Sequence, residues 1–209
     1  MDTPPQPASP HFKPMTLALA GLGLAAVVSL TLLFADPRLA GYRVWNASVI
    51  GALALFAAAR LGFWHGVAFT AVAIALKDLC VYLTSDWWQP YPLSWLYFAG
   101  YALIGWAVLR RSESSGRVAV TALGASLVFF LVSNFVSWLE QALPYGYSLD
   151  GLLNCYAAAI PFFRGTFLGD IAFSGALFGA HAALSRAYFP AESVRPARVE
   201  PERVEEQNW

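Results

Sequence analysis

The sequence carries little charge, and the charge that it has is balanced. Only 12% of its 209 residues are Asp, Glu, Lys or Arg, and 13 acidic residues face 13 Lys and Arg residues. Because no basic excess is available to neutralise phosphates, nucleic acid is not an expected partner. The GxxxxGK[ST] phosphate loop is absent, which excludes ATP hydrolysis of the P-loop type.

Cysteine is equally scarce. Cys80 and Cys155 lie in separate apolar stretches, and neither belongs to a CxxC pair. This spacing is not that of a zinc site or of a disulfide framework, and we expect both residues to be buried small hydrophobes. We therefore predict no metal and no cofactor.

Apolar residues are abundant instead. Hydrophobic residues make up 58% of the chain and aromatic residues 15%, and several apolar stretches reach the length needed to cross a bilayer. The composition predicts an all-α integral membrane protein: a disordered lead over residues 1–14, a membrane domain over 15–188 and a disordered charged tail over 189–209. The predicted membrane helices are Met15–Phe34, Ala47–Leu61, Gly66–Leu83, Ser94–Leu109, Val118–Leu139 and a sixth from about Thr166 to Tyr188.

The last apolar region is too long for one crossing and too short for two. Proline has no backbone N–H and disfavours helix in the residue before it, so Pro161 predicts a short half-helix over Gly151–Ile160. Arg164 and Gly165 would then form a turn, and Thr166 would cap helix six through its hydroxyl group. Asp170 follows four residues later on the same helix face.

The distribution of Lys and Arg predicts the orientation. With the N-terminus inside, six cations lie at the inner connections and three at the outer ones, so the positive-inside rule favours cytoplasmic termini. The inner cations are Lys13, Arg60, Arg110, Arg111, Arg117 and Arg186, and the outer ones are Arg38, Arg43 and Arg164.

This topology predicts a site at the outer face, where polar and aromatic residues converge as they do in small-molecule pockets. Charges inside a membrane are costly and usually face a cavity or a partner. Lys77 and Asp78 point about 100° apart on a helix, so we expect them not to neutralise each other, and one to pair with Arg164 or Asp170. A purely structural brace is the alternative for these charges. The candidate residues are Asn46, Asp78, Trp87, Trp88, Asn134, Arg164, Thr166 and Asp170.

Two candidates have plainer interpretations as well. Asn134 could form interhelical hydrogen bonds, and the tryptophans could belong to an interfacial aromatic belt. On helix one, Gly21 and Ala25 form a small-xxx-small pair, which indicates either packing inside the bundle or a docking surface for another membrane subunit.

Four blocks of the sequence form a recognisable set: Asn46–Phe56, Asp78, Ser133–Phe135 and Ile160–Asp170. Together they resemble an uncharacterised bacterial family of membrane proteins described as transport proteins. That family is in turn similar to the S components of energy-coupling factor vitamin transporters. The sequence departs from the family pattern at Ala47-Ser48-Val49, at Lys77 and at Gly165.

The resemblance implies an S-component-like bundle of six helices in the bacterial inner membrane. Such a protein captures a small solute from outside and passes it across with a membrane coupling subunit and its ATPases. Arg164 would hold a carboxylate or phosphate, Asp170 and Asp78 would orient donors, and Trp87 or Trp88 would stack on a ring or close the mouth. On this interpretation the protein is not an enzyme.

Two further hypotheses remain. The chain could be an S-component-like scaffold of the cell envelope that binds no solute, in which case the Gly21 and Ala25 face and the tail would be its active surfaces. Asp78 and Asp170 could also form the carboxylate pair of an intramembrane aspartyl protease. The Gly-x-Gly-Asp motif of those enzymes is incomplete, because Phe167 replaces its first glycine.

Overall fold

The computed structural model describes residues 13–35, 49–84 and 91–194, and this part of the chain is helical without strands. The helices are α1 (Pro14–Ala35), α2 (Ile50–Leu61), α3 (Phe63–Thr84), α4 (Leu93–Ile104), α5 (Ser115–Leu139) and α6 (Leu149–Ala187). A π-helical turn, Gly105–Leu109, continues α4, and a 3₁₀ turn, Pro190–Glu192, follows α6. The predicted all-α class is therefore confirmed for the described residues.

Four helices, α1, α3, α5 and α6, are long and apolar enough to cross a membrane. Two shorter apolar helices accompany them, α2 and the continuous stretch Leu93–Leu109. Large apolar side chains remain exposed on the outside of the bundle, for example Leu22, Val120 and Leu168. An apolar exterior of this kind is expected where lipid rather than water surrounds the protein.

Helix α2 forms the centre of the bundle. Every residue from Ile50 to Arg60 is buried, which explains why this helix is apolar all round rather than amphipathic. Gly66 of α3 and Gly105 of the π-helical turn lie directly on the α2 backbone, where a Cβ atom would overlap Ala58 and Leu55, respectively. These two glycines allow α3 and α4 to pack closely against the central helix.

The half-helix and turn predicted before helix six are wrong. Helix α6 is continuous over 39 residues and includes Pro161 in its interior. Its N-cap is Ser148, whose hydroxyl oxygen accepts a hydrogen bond from Gly151 N at 3.0 Å, so Thr166 lies in mid-helix and is not a cap. In an apolar environment one hydrogen bond lost at proline costs less than the several backbone groups that a break would leave unpaired.

The folded part extends beyond the predicted end of the membrane domain. The 3₁₀ turn packs against the start of α1, and Glu192 is buried there. Residues 195–209 of the predicted tail and residues 1–12 of the predicted lead lie outside the described residues.

Candidate functional site

A buried carboxyl group lies where four helices meet. Asp170 of α6 is 2% exposed, and its Oδ2 atom accepts hydrogen bonds from Tyr101 of α4 and Ser126 of α5, each at 2.6 Å. Its Oδ1 atom lies so close to Gly51 of α2 that a Cβ atom on residue 51 would overlap it. We call Gly51, Tyr101, Ser126 and Asp170 the carboxyl cluster.

A cavity of about 260 Å³ opens between α5 and α6. Asn134 and Thr166, both predicted as site residues, line it together with Ser133, while aromatic rings supply most of the remaining wall. The Asn134 amide donates a hydrogen bond to Phe130 O at 2.7 Å, so its side-chain carbonyl and second N–H can still serve a ligand. The residues lining this aromatic cavity are Phe129, Phe130, Ser133, Asn134, Ala159, Phe162, Phe163 and Thr166.

The aromatic cavity and the carboxyl cluster are adjacent. Thr166 and Asp170 are four residues apart on α6, which corresponds to about one helical turn. Phe129 of the cavity wall also packs edge-on against Tyr101 of the cluster, with ring centroids 6.1 Å apart. The cavity wall and the carboxyl cluster therefore share α6 and one aromatic contact.

Arg164 is not part of either feature. It lies on an exposed face of α6, and it makes no hydrogen bond or ion pair with another described residue. The brace between Arg164 and Asp170 is therefore absent: the continuous helix points Arg164 away from Asp170, and the carboxyl group has Tyr101 and Ser126 as its hydrogen-bond partners.

Lys77 and Asp78 pair with each other, contrary to the expectation from their helical spacing. Lys77 Nζ lies 2.8 Å from Asp78 Oδ1, because the long lysine side chain can bend round to its neighbour. No hydrogen bond or ion pair joins Asp78 to Asp170 among the described residues. Each of the two carboxylates thus has its own partners, unlike the shared-proton dyad of an aspartyl protease.

The remaining predicted residues divide into two groups. Asn46, Trp87 and Trp88 lie outside the described residues. Gly21 and Ala25 lie on an exposed face of α1, and a Cβ atom at Gly21 would meet nothing within 4 Å. This small-residue face therefore does not pack against any other described helix.

The end of α5 meets the segment before α4. The Tyr91 hydroxyl donates a hydrogen bond to Glu140 Oε2 at 3.0 Å. Burial raises the pKa of Tyr91 above its usual value, and its hydrogen bonds to Tyr97 and Glu140 raise it further.

At the opposite end of α5, charged side chains join the start of α1, the end of α2 and the segment that follows the π-helical turn. Glu192 accepts hydrogen bonds from Met15 N at 3.0 Å, Thr16 N at 2.8 Å and Thr16 Oγ1 at 2.6 Å, and so caps α1. Arg60, at the end of α2, donates to the carbonyls of Leu109 and Ser112, each at 2.8 Å. These side chains border a cavity of about 360 Å³, which Lys13 and Arg110 also line.

Sequence reasoning missed Tyr101, Ser126, Gly51 and Glu192. The first three carry no signal of their own, because a tyrosine, a serine and a glycine in apolar helices are usually packing residues. Glu192 lies in a stretch rich in proline and charge, which favours disorder. Within the described residues no group of three or more His, Cys, Asp or Glu side chains could hold a metal ion.

The fold and these features define an all-helical protein of membrane type with a buried carboxyl group beside an aromatic cavity. The model described as "Family of unknown function (DUF6580)" matches residues 10–196. Because this match covers most of the chain, the protein belongs to that family. No curated protein and no solved structure matches the chain.

Proposed function

We propose that the protein is a membrane transport protein that binds a small solute in the aromatic cavity. The observation that carries this proposal is the composition of the cavity wall, in which Ser133, Asn134 and Thr166 stand among aromatic rings. Ligand sites typically combine an apolar wall with a few polar groups that fix orientation. A volume of about 260 Å³ suits a small metabolite rather than a lipid.

The chemistry of the wall favours an uncharged solute. None of the described residues that line the cavity is ionisable, so a carboxylate or phosphate would find no counter-charge among them and would pay a large desolvation cost. Rings could stack on Phe130 and Phe163, whose centroids are 4.7 Å apart, while the three polar side chains exchange hydrogen bonds with the solute. The proposed class is therefore a neutral ring compound with donors and acceptors.

Transport also needs a topology and an energy source. We propose six crossings, in which α2 and the Leu93–Leu109 stretch supply the two shorter ones, with both termini on the cytoplasmic side. The sequence has no phosphate loop, so the energy must come from a partner or from an ion gradient. An S-component-like assembly with a coupling subunit and ATPases is the partner that the sequence resemblance suggests.

The test compares cavity variants with a surface variant. The purified protein would be screened by native mass spectrometry and thermal stabilisation against neutral ring metabolites, as wild type, Asn134→Leu, Thr166→Val and Arg164→Ala. We expect binding by wild type and Arg164→Ala, and a loss of tenfold or more in the two cavity variants. Thr166→Val is nearly isosteric, so it removes the hydroxyl group while the helix keeps its shape.

Other results would contradict the proposal in distinct ways. If Arg164→Ala abolished binding while the cavity variants bound normally, the site would be an anion site at Arg164 instead. If a broad set of metabolites failed to bind any variant, a scaffold without a solute would be the better hypothesis.

The scaffold hypothesis has one observation in its favour, the open face of α1. Small residues let helices approach closely in a membrane, and no described helix covers the face that holds Gly21 and Ala25. In that case Gly21→Leu would abolish partner binding, whereas Thr166→Val would have no effect on it. A transport protein that docks on a coupling subunit would need both surfaces.

A further inference from the structure

The carboxyl cluster contains three hydrogen-bond contacts, but its two hydroxyl groups provide only two hydrogens when Asp170 is ionised. Three contacts meet there: Tyr101 to Asp170 at 2.6 Å, Ser126 to Asp170 at 2.6 Å, and Ser126 to Ala122 O at 2.9 Å. A tyrosine and a serine hydroxyl contribute two hydrogens. A protonated Asp170 supplies the third hydrogen: Oδ2 then donates to Ser126 while Ser126 donates to Ala122 O, whereas in the ionised form Ser126 is the donor to Oδ2.

The surroundings favour the neutral carboxylic acid. Asp170 is 2% exposed, and burial without a counter-charge strongly disfavours a carboxylate. Among the residues that the structure describes, the groups that face it are Tyr101 from α4, Ser126 from α5 and Gly51 from α2. None of these groups is a cation, and no described cation forms an ion pair with Asp170.

The same groups can also accept the ionised form. After loss of the proton, Tyr101 and Ser126 can both donate to the carboxylate, and hydrogen bonds to the charged form are the stronger ones. Gly51 belongs to the first turn of α2, whose N-cap residue Val49 makes no side-chain capping bond. The positive end of the α2 dipole therefore lies beside Oδ1.

From this arrangement we infer that Asp170 is a reversible proton-binding site, with Tyr101 and Ser126 as the groups that reorient when the proton leaves. Protonated, the site has three hydrogens for three contacts; deprotonated, it has two donors for one carboxylate. No other atom is transferred, and the proton passes to water when the contact between α4, α5 and α6 opens. Tyr101 and Ser126 are positioning residues.

The inference deepens the proposed function by naming the proton as the coupling ion. This coupling role rests on the proposed transport function, whereas the proton-binding site does not. The proton site itself can be tested without a solute. Solute binding by the Thr166 variant and protonation of Asp170 are separate measurements, so either proposal can fail while the other stands.

Infrared spectroscopy of the purified protein tests the site directly, because a protonated carboxyl group has a C=O band distinct from that of a carboxylate. We expect such a band at neutral pH in wild type, its loss in Asp170→Asn and its retention in Asp78→Asn. Raising the pH should remove the wild-type band reversibly while the helical circular dichroism signal stays constant. A band that is absent from wild type, that persists in Asp170→Asn, or that is lost only on unfolding would overturn the inference.

Two further measurements protect the test against a misfolded variant. If Asp170→Asn did not fold, Ser126→Ala and Tyr101→Phe should each shift the frequency of the band, since each removes a hydrogen-bond partner of the carboxyl group. Hydrogen–deuterium exchange in α4 should increase in wild type over the pH range in which the band disappears. An unshifted band in both variants, or exchange unrelated to the band, would contradict the inference.

Discussion

The buried cap on α1 allows a sharp test of how the two ends of the chain stabilise the fold. Glu192 is 6% exposed and accepts three hydrogen bonds from Met15 and Thr16. Hydrogen bonds to a charged group contribute about 1.5–3 kcal/mol each when measured singly. Three bonds to one carboxylate together contribute less than three separate bonds would. Allowing also for cap and dipole effects, we expect Glu192→Ala to lower the free energy of unfolding by about 2–3 kcal/mol.

That loss can be measured as a shift in Tm. For a protein of this size about 1 kcal/mol corresponds to roughly 2–4 °C, so Glu192→Ala should melt about 4–12 °C below wild type in the same detergent. Glu192→Gln keeps an acceptor oxygen, so its Tm should lie between those of wild type and Glu192→Ala. A chain ending at residue 189 also lacks the hydrogen bond from Val194 N to Glu113, so its Tm should lie at least as far below wild type as that of Glu192→Ala.

The cap also predicts a pH dependence. Burial alone would raise the pKa of Glu192, but the hydrogen bonds from Thr16 and Met15 outweigh it, so the pKa lies below its ordinary value of 4.5. A carboxyl group with a lowered folded pKa contributes stability that is present above the unfolded pKa and is lost as the pH falls through the folded pKa. The Tm difference between wild type and Glu192→Gln should therefore be constant above about pH 5 and shrink at lower pH.

Two results would refute this reasoning. A Tm of Glu192→Ala within 1–2 °C of wild type, about the effect of a neutral surface substitution, would mean that the cap contributes nothing. A Tm difference that grew on acidification would give the pH dependence the wrong sign.

Two further substitutions probe close contacts, both measured by thermal unfolding. Gly51→Ala should destabilise the fold by about 1–3 kcal/mol, because its Cβ atom would overlap Asp170. Gly100→Ala is the matched control, because there is open space around residue 100. This control should not destabilise the protein by more than about 0.5 kcal/mol. Arg60→Gln should cost about 2–4 kcal/mol because it leaves two buried carbonyls without their donor, whereas the exposed Arg110→Gln should cost less than about 1 kcal/mol. Equal effects within either pair would contradict the assigned contacts.

Long apolar runs were the part of the fold that sequence reasoning predicted well. The predicted helix Met15–Phe34 differs from α1 by one residue at each end, because its apolar stretch has clear polar boundaries. Pro161 misled the prediction, since the rule that proline ends a helix describes helices in water. Packing along α5 and the cost of unpaired backbone in an apolar environment keep α6 continuous.

The site was predictable only where a single residue carried the signal. Asp170 was found because a carboxylate in an apolar run is costly, but its partners lie 69 and 44 residues away in the sequence. Nothing in one sequence indicates which tyrosine or serine meets it. Arg164 gave an equally strong signal, yet its side chain lies on an exposed face of α6, because the continuous helix fixes its direction.

The aromatic cavity and the carboxyl cluster cannot act independently if both proposals hold. They share α6, through Thr166 and Asp170, and Phe129 of the cavity contacts Tyr101, which donates to Asp170. A solute that displaced Phe129 would change the geometry of that hydrogen bond, and with it the proton affinity of the carboxyl group. Linkage is reciprocal, so the affinity for the solute must then change over the same pH range in which Asp170 exchanges its proton. Solute binding that stayed constant across that range would show that the two sites are energetically separate, and a gradient other than protons or a partner subunit would have to drive transport.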